Sequence, residues 1–138
     1  MKFIKNVAFL TVIFTIMLLV LSSCGNDRGL EGNWQMIESL TFINSELHRD
    51  DTPRLKSNPT YLRFYEDGTA MEVVSPYSPI KLTWEVLDNY TLTLTSQSSG
   101  ISHEWQFELL GDILFLTRRF GAWESSYFTV VETFIRAR

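Results

Sequence analysis

Few side chains in this sequence can do covalent chemistry. The chain carries one cysteine, Cys24, and two histidines, His48 and His103. A lone cysteine can form no disulfide within its own chain, so the Cys24 thiol is left for attachment of another group. His48 stands beside Asp50 and Asp51, but the spacing matches no metal-ligand motif, and a solvated loop histidine accounts for it. His103 lies on an apolar alternation between Ile101 and Trp105. It reads either as a polar handle inside a ligand cavity or as a rim histidine hydrogen-bonded to a neighbour. Asp50-Asp51 and Glu66-Asp67 carry turn chemistry, not the geometry of two acids aimed at one glycosidic bond. Glu38 interrupts the apolar face of its segment. Pointing inward it needs a partner, which Arg63 or Arg118 could supply. A β-bulge near Met36-Ile37 would instead turn Ile37 inward and Glu38 into water. With no nucleophile–base set, metal cluster or glycine-rich phosphate loop, the residues argue against an enzyme and imply no cofactor and no metal.

The elements around Cys24 explain its place. Lys2 and Lys5 precede residues 7–21, which are apolar except for Thr11 and Thr15, and Ser22-Ser23-Cys24 follows. A basic start, an apolar stretch and small residues form the three parts of a secretory signal. The stretch is shorter than the roughly 20 apolar residues of a spanning helix. Residues 1–23 therefore read as a cleaved signal, 24–29 as a polar tether and 30–138 as the domain. Removing 23 of the 138 residues leaves 115, enough for one domain with a core of its own. That portion keeps all 16 acidic side chains against 10 basic ones, a net charge of −6. Such a chain lacks the basic footprint of a nucleic-acid binder. It is also repelled by anionic headgroups, which leaves membrane attachment to acyl chains.

Beyond residue 29 the apolar residues alternate in short runs broken by turn residues, the pattern of an all-β chain. Strands are expected over residues 32–42, 61–65, 70–75, 80–86, 90–95, 101–109, 113–118 and 125–136. Residues 44–59, polar and holding Pro53 and Pro59, read as a long loop with a helical turn near 45–49. Residues 120–123 read as a turn. The Asp67-Gly68 pair between two strands is a strong hairpin signal. Short connections make sequential strands antiparallel neighbours, and a sheet of eight such strands loses its edges by closing. The expected architecture is an eight-stranded antiparallel up-and-down barrel, with a half-open barrel or two-sheet sandwich as the alternative. Trp34, Phe64, Trp84, His103, Trp105, Phe107 and Phe115 are the candidate interior and ligand-lining residues. Phe120 and Trp123 are candidates for exposure in a partner surface or for a cap over one barrel end.

Two stretches resemble known families. Leu21-Ser22-Ser23-Cys24 resembles the lipobox of bacterial lipoproteins, with Ser23 in place of the commoner Gly or Ala. That resemblance implies a diacylglycerol on the Cys24 sulfur and cleavage before it. Gly25 follows instead of the Asp that resembles an inner-membrane retention signal, which implies the outer membrane of a Gram-negative bacterium. Leu30-Glu31-Gly32-Asn33-Trp34 resembles the Gly-x-Trp opening of lipocalin-like domains. Residues 62–69, with Asp67-Gly68-Thr69, and the Gly111-Asp112 hairpin are similar to later motifs of bacterial lipocalin-like lipoproteins. The resemblance covers most of 30–138 and lacks the disulfide and C-terminal helix of the secreted animal lipocalins.

These readings imply a membrane-anchored, non-enzymatic domain whose barrel takes a small apolar or amphipathic ligand. The alternative is a protein-interaction module, an accessory subunit or inhibitor, with a filled interior and residues 44–59 as its contact element. An internal cavity of about 300 Å³ or more open to solvent would favour the ligand, a plugged centre the partner.

Overall fold

The computed structural model describes residues 29–123 and 126–138; Cys24 and the apolar stretch before it lie outside them. Nine strands follow in order. They are β1 (Gly32–Ile43), β2 (Glu46–Asp50), β3 (Thr60–Phe64), β4 (Thr69–Val74), β5 (Ile80–Val86), β6 (Thr91–Ser96), β7 (Ser102–Leu110), β8 (Ile113–Trp123) and β9 (Ser126–Arg136), with a 3-10 turn at Thr52–Lys56. Every pairing is antiparallel. β9 returns to β1, so eight strands close into a barrel, and β2 hangs on the far end of β1 as a ninth. Turn chemistry drives the hairpins. Between β3 and β4, Asp67 Oδ1 accepts from the Thr69 amide at 2.9 Å and hydroxyl at 2.6 Å. Gly68 there takes a φ of 81°, a left-handed conformation that glycine adopts without steric cost.

Two expectations about the strands need correction. Residues 44–59 hold a strand and a 3-10 turn, not a long loop with a helical turn near 45–49. Asn44 and Ser45 take positive φ and turn the chain back, so 46–50 add to β1 although they bury nothing. Residues 120–123 continue β8. Gly121 sits at a bulge, with a φ of 57°, that keeps β8 paired to β9 instead of ending it.

The bulge in β1 lies between Met36 and Glu38. It carries Ile37 outward, 41% exposed, not inward as expected. Glu38 stays on the outer side, where its carboxylate accepts from the Thr133 hydroxyl at 3.2 Å. Neither Arg63 nor Arg118 is its partner. Beyond the bulge the inward set on β1 becomes Ser39, Thr41 and Ile43, by register with Glu132, Val130 and Phe128.

The two ends of the barrel differ in hydrogen bonding. At one end every ladder is present. At the other, β7 pairs with β8 only from Gln106↔Thr117 to Leu110↔Ile113, while its first residues pair with β6 alone. Beyond Thr117, β8 pairs with β9. Likewise the β1–β3 ladder stops at Gln35↔Tyr61, and the rest of β1 pairs with β9 and β2. The barrel thus parts into two leaves, β3 to β7 and β2-β1-β9-β8. The core fills the closed end: Trp34, at 0% exposure, with Leu62, Phe64, Ala70, Leu82, Leu92, Leu114, Leu116 and Phe134. Trp34 Nε1 donates to the Leu30 carbonyl at 2.7 Å. The Arg136 guanidinium lies 4.3 Å from the centre of that ring and donates to the carbonyls of Glu31 at 2.7 Å and Gly29 at 3.0 Å. Its Nε lies 3.2 Å from Asp112 Oδ1, an ion pair without the alignment of a hydrogen bond.

Candidate functional site between the barrel leaves

The inward faces of four strands change character along their length. On β4 the inward residues run Ala70, Glu72, Val74; on β9, Phe134, Glu132, Val130; on β8, Leu114, Leu116, Arg118; on β1, Met36, Ser39, Thr41. Glu132 pairs in register with both Leu116 and Ser39, so the change from apolar to polar falls on one rung across β8, β9 and β1.

Where β1 leaves β3, the 3-10 turn covers the opening. The Asp51 amide donates to the Ser39 carbonyl at 2.9 Å, and the Ser39 amide donates to Thr52 Oγ1 at 3.2 Å. Leu55 packs on the core from above. Under this turn lies a cavity of about 200 Å³, lined by Met36, Ser39, Asp51, Arg54, Leu55, Asn58, Thr60, Glu72, Val74 and Glu132. Asp51 is engaged by Arg49 at 2.8 Å and by Arg54 at 3.8 Å. Among the described residues neither Glu72 nor Glu132 makes an ion pair or hydrogen bond. Burial pushes the Glu72 carboxyl above the ordinary carboxylate range. Burial and then the neighbouring charge of Glu72 push Glu132 up to about 7, with the Arg118 guanidinium pulling the other way. Arg118 rests on aromatic faces, 4.8 Å from the ring centre of Phe120 and 5.7 Å from that of Trp105.

A larger concavity, about 470 Å³, lies outside the second seam, where β7 leaves β8, and is lined by Thr91, Glu104, Trp105, Gln106, Thr117, Arg119 and Thr129. Its inward-register lining residue is Trp105. The others belong to the outer face, and Arg119 there stacks on Tyr127 at 4.2 Å. It offers no buried polar group, so the smaller cavity has the stronger chemistry despite its size.

The residues singled out in the sequence separate into three groups. Trp34 and Phe64 are fully buried at the closed end. Trp84 packs edge-on against Phe64 at 5.3 Å and donates from Nε1 to the Tyr65 carbonyl at 2.9 Å; Phe107 and Trp105 pack on the same core. None of these five lines the cavity under the turn. His103 has inward register opposite Leu94 but is exposed at the rim of β7. Phe115 faces outward, a correction to its assignment to the interior. It alternates with buried Leu114 and Leu116 and pairs with Glu108 and Thr133. His48 lies on exposed β2, and Phe120 is 40% exposed, stacked on Phe128 at 5.8 Å.

The cavity residues Thr60, Glu72 and Glu132 are not among the sequence-based candidates. Their signal was present: Glu72 falls in phase with Ala70 and Val74, and Glu132 with Phe134 and Val130. An acid in phase with an apolar face marks a buried carboxylate. Comparison with known proteins adds no relative: no protein family, curated protein or solved structure matches the chain.

Proposed function

We propose that the chain is a membrane-tethered lipoprotein, lipidated at Cys24, whose barrel binds a small amphipathic ligand without transforming it. The observation that carries this reading is the cavity between the leaves. It joins apolar walls (Met36, Leu55, Val74) to a few polar groups (Thr60, Glu72, Glu132), the mixture by which ligand sites combine affinity with orientation. At about 200 Å³ the cavity falls short of the roughly 300 Å³ expected of a ligand-binding barrel, which narrows the reading to a molecule smaller than the usual drug-sized ligand. The lipobox resemblance and the signal-like start support the anchor and the outer membrane.

Native mass spectrometry of the full chain, purified from its own host in detergent, tests the binding reading. A retained small molecule is expected; a chain that carries none from its host, and none after exposure to amphipathic metabolites, overturns it. Cys24→Ser is expected to abolish incorporation of labelled acyl chains, and undiminished labelling contradicts the anchor. A second reading is a protein-interaction module. The filled closed end favours it, since a barrel plugged by Trp34, Phe64 and Phe134 keeps no deep pocket. Co-purification of one protein in constant ratio, with no small molecule, is its signature.

A further inference from the structure

Resting on the ligand-binding reading, we infer that the cavity under the 3-10 turn selects a small organic cation, a protonated amine on a short apolar tail, through Glu72, Glu132 and the hydroxyl of Thr60. Three observations converge on this class. First, the charges lining the cavity do not cancel. Asp51 is held by Arg49 at 2.8 Å and more loosely by Arg54 at 3.8 Å, whereas Glu72 and Glu132 are two inward carboxylates with no ion-pair partner among the described residues. Second, Thr60 is 6% exposed and lines the same cavity, yet its hydroxyl has no hydrogen-bond partner among the described residues. On β3 Thr60 has inward register opposite Val74, so a group held in the cavity can reach its hydroxyl. Third, Met36, Leu55 and Val74 complete the wall and suit an apolar tail.

An ammonium group meets these features together. Its three N–H donors match two carboxylates and one hydroxyl oxygen, and a desolvated cation beside a carboxylate is held by a charge-assisted hydrogen bond. A carboxylate ligand would instead add a third negative charge in a site of low dielectric. Arg118 and Arg54 are the cations that face the pair from β8 and from the 3-10 turn, and Asp51 is the further acid. Arg118 is held on the rings of Trp105 and Phe120, farther from both carboxylates than an ion pair. Entry of a cation favours the ionised form of Glu132, whose carboxyl is otherwise pushed up to about 7, so binding at neutral pH releases protons.

The test compares three probes of one tail length, hexylammonium, hexanol and hexanoate, by calorimetry on the full chain in detergent at pH 7. Hexylammonium is expected to bind at least tenfold tighter than hexanol, with hexanoate weakest and with an enthalpy that changes with buffer ionisation as protons are released. Glu132→Gln and Glu72→Gln are each expected to weaken hexylammonium at least tenfold while leaving hexanol unchanged. Thr60→Val, close to isosteric, should weaken it severalfold and keeps the test decisive if a glutamate variant fails to fold. Hexanol or hexanoate binding as tightly as hexylammonium overturns the cation inference and leaves the ligand-binding reading standing. Binding of none of the three overturns the inference, and the retained molecule in native mass spectrometry then decides the broader reading separately.

Discussion

At the closed end of the barrel, Trp34, Phe64, Leu114 and Phe134 meet with no room left between them, and Arg136 seals the base. At the splayed end the same strands carry Ser39, Glu72, Arg118 and Glu132 around a cavity or beside it. Along β4 the backbone hardly distinguishes the two; the change lies in the side chains, in where the ladders stop and in the Gly121 bulge of β8. One end concentrates the apolar burial that holds a domain together. The other keeps two half-buried, inward-facing carboxylates, whose desolvation costs stability. On the proposed reading, stability and binding are divided along the barrel axis, and substitutions at each end should separate them.

The largest expected effect is at the closed end. Trp34→Ala should cost about 3–5 kcal/mol, as truncation of a buried aromatic does, measured by urea denaturation. A loss below about 1 kcal/mol, typical of surface positions, would remove Trp34 from the core. The next effect sharpens the comparison from the splayed end. Glu132 has an ordinary value of 4.5 and is pushed up to about 7 in the fold. Between those pH values the folded chain binds more protons than the unfolded one. Its contribution is complete below pH 4.5 and is lost as pH rises through 7, a fall of up to about 3 kcal/mol. Glu132→Gln should flatten this slope and exceed the wild type in stability at pH 8, with little difference at pH 4. A slope unchanged by the substitution contradicts a buried carboxylate. Arg136→Ala should cost about 2 kcal/mol, since it removes a cation over Trp34 and two hydrogen bonds from the guanidinium. Leu55→Ala is the mildest, about 1 kcal/mol for a few half-buried methylenes, yet it should accelerate ligand exchange because Leu55 sits over the cavity. An unchanged exchange rate would show that the 3-10 turn does not cover the site.

The closed end was largely legible in the sequence. Alternation and the Asp67-Gly68 and Gly111-Asp112 turns marked most strands, and Trp34 and Phe64 reached the core as expected. The splayed end was not. The break in alternation at Glu38 does locate a bulge near Met36-Ile37 and puts Glu38 outside, but it does not reveal that Ile37 turns outward and that Ser39, Thr41 and Ile43 become the inward set. β2 carries no apolar face, so its pairing with β1 comes from backbone turn geometry and leaves no hydropathic pattern. Phe115, a candidate interior aromatic, is turned outward by the parity of buried Leu114 and Leu116. Glu72 and Glu132 were readable as phase violations, but only closure of the barrel shows that they share one cavity.

The division of labour between the two ends is tested most directly by amide chemical-shift mapping of the full chain in detergent as hexylammonium is added. Shifts concentrated at Ser39, Leu55, Thr60, Glu72 and Glu132, with Trp34, Phe64 and Phe134 unmoved, are the result expected. Saturable shifts centred on the closed end, or on the outer face of β7 and β8, would contradict a binding site between the leaves.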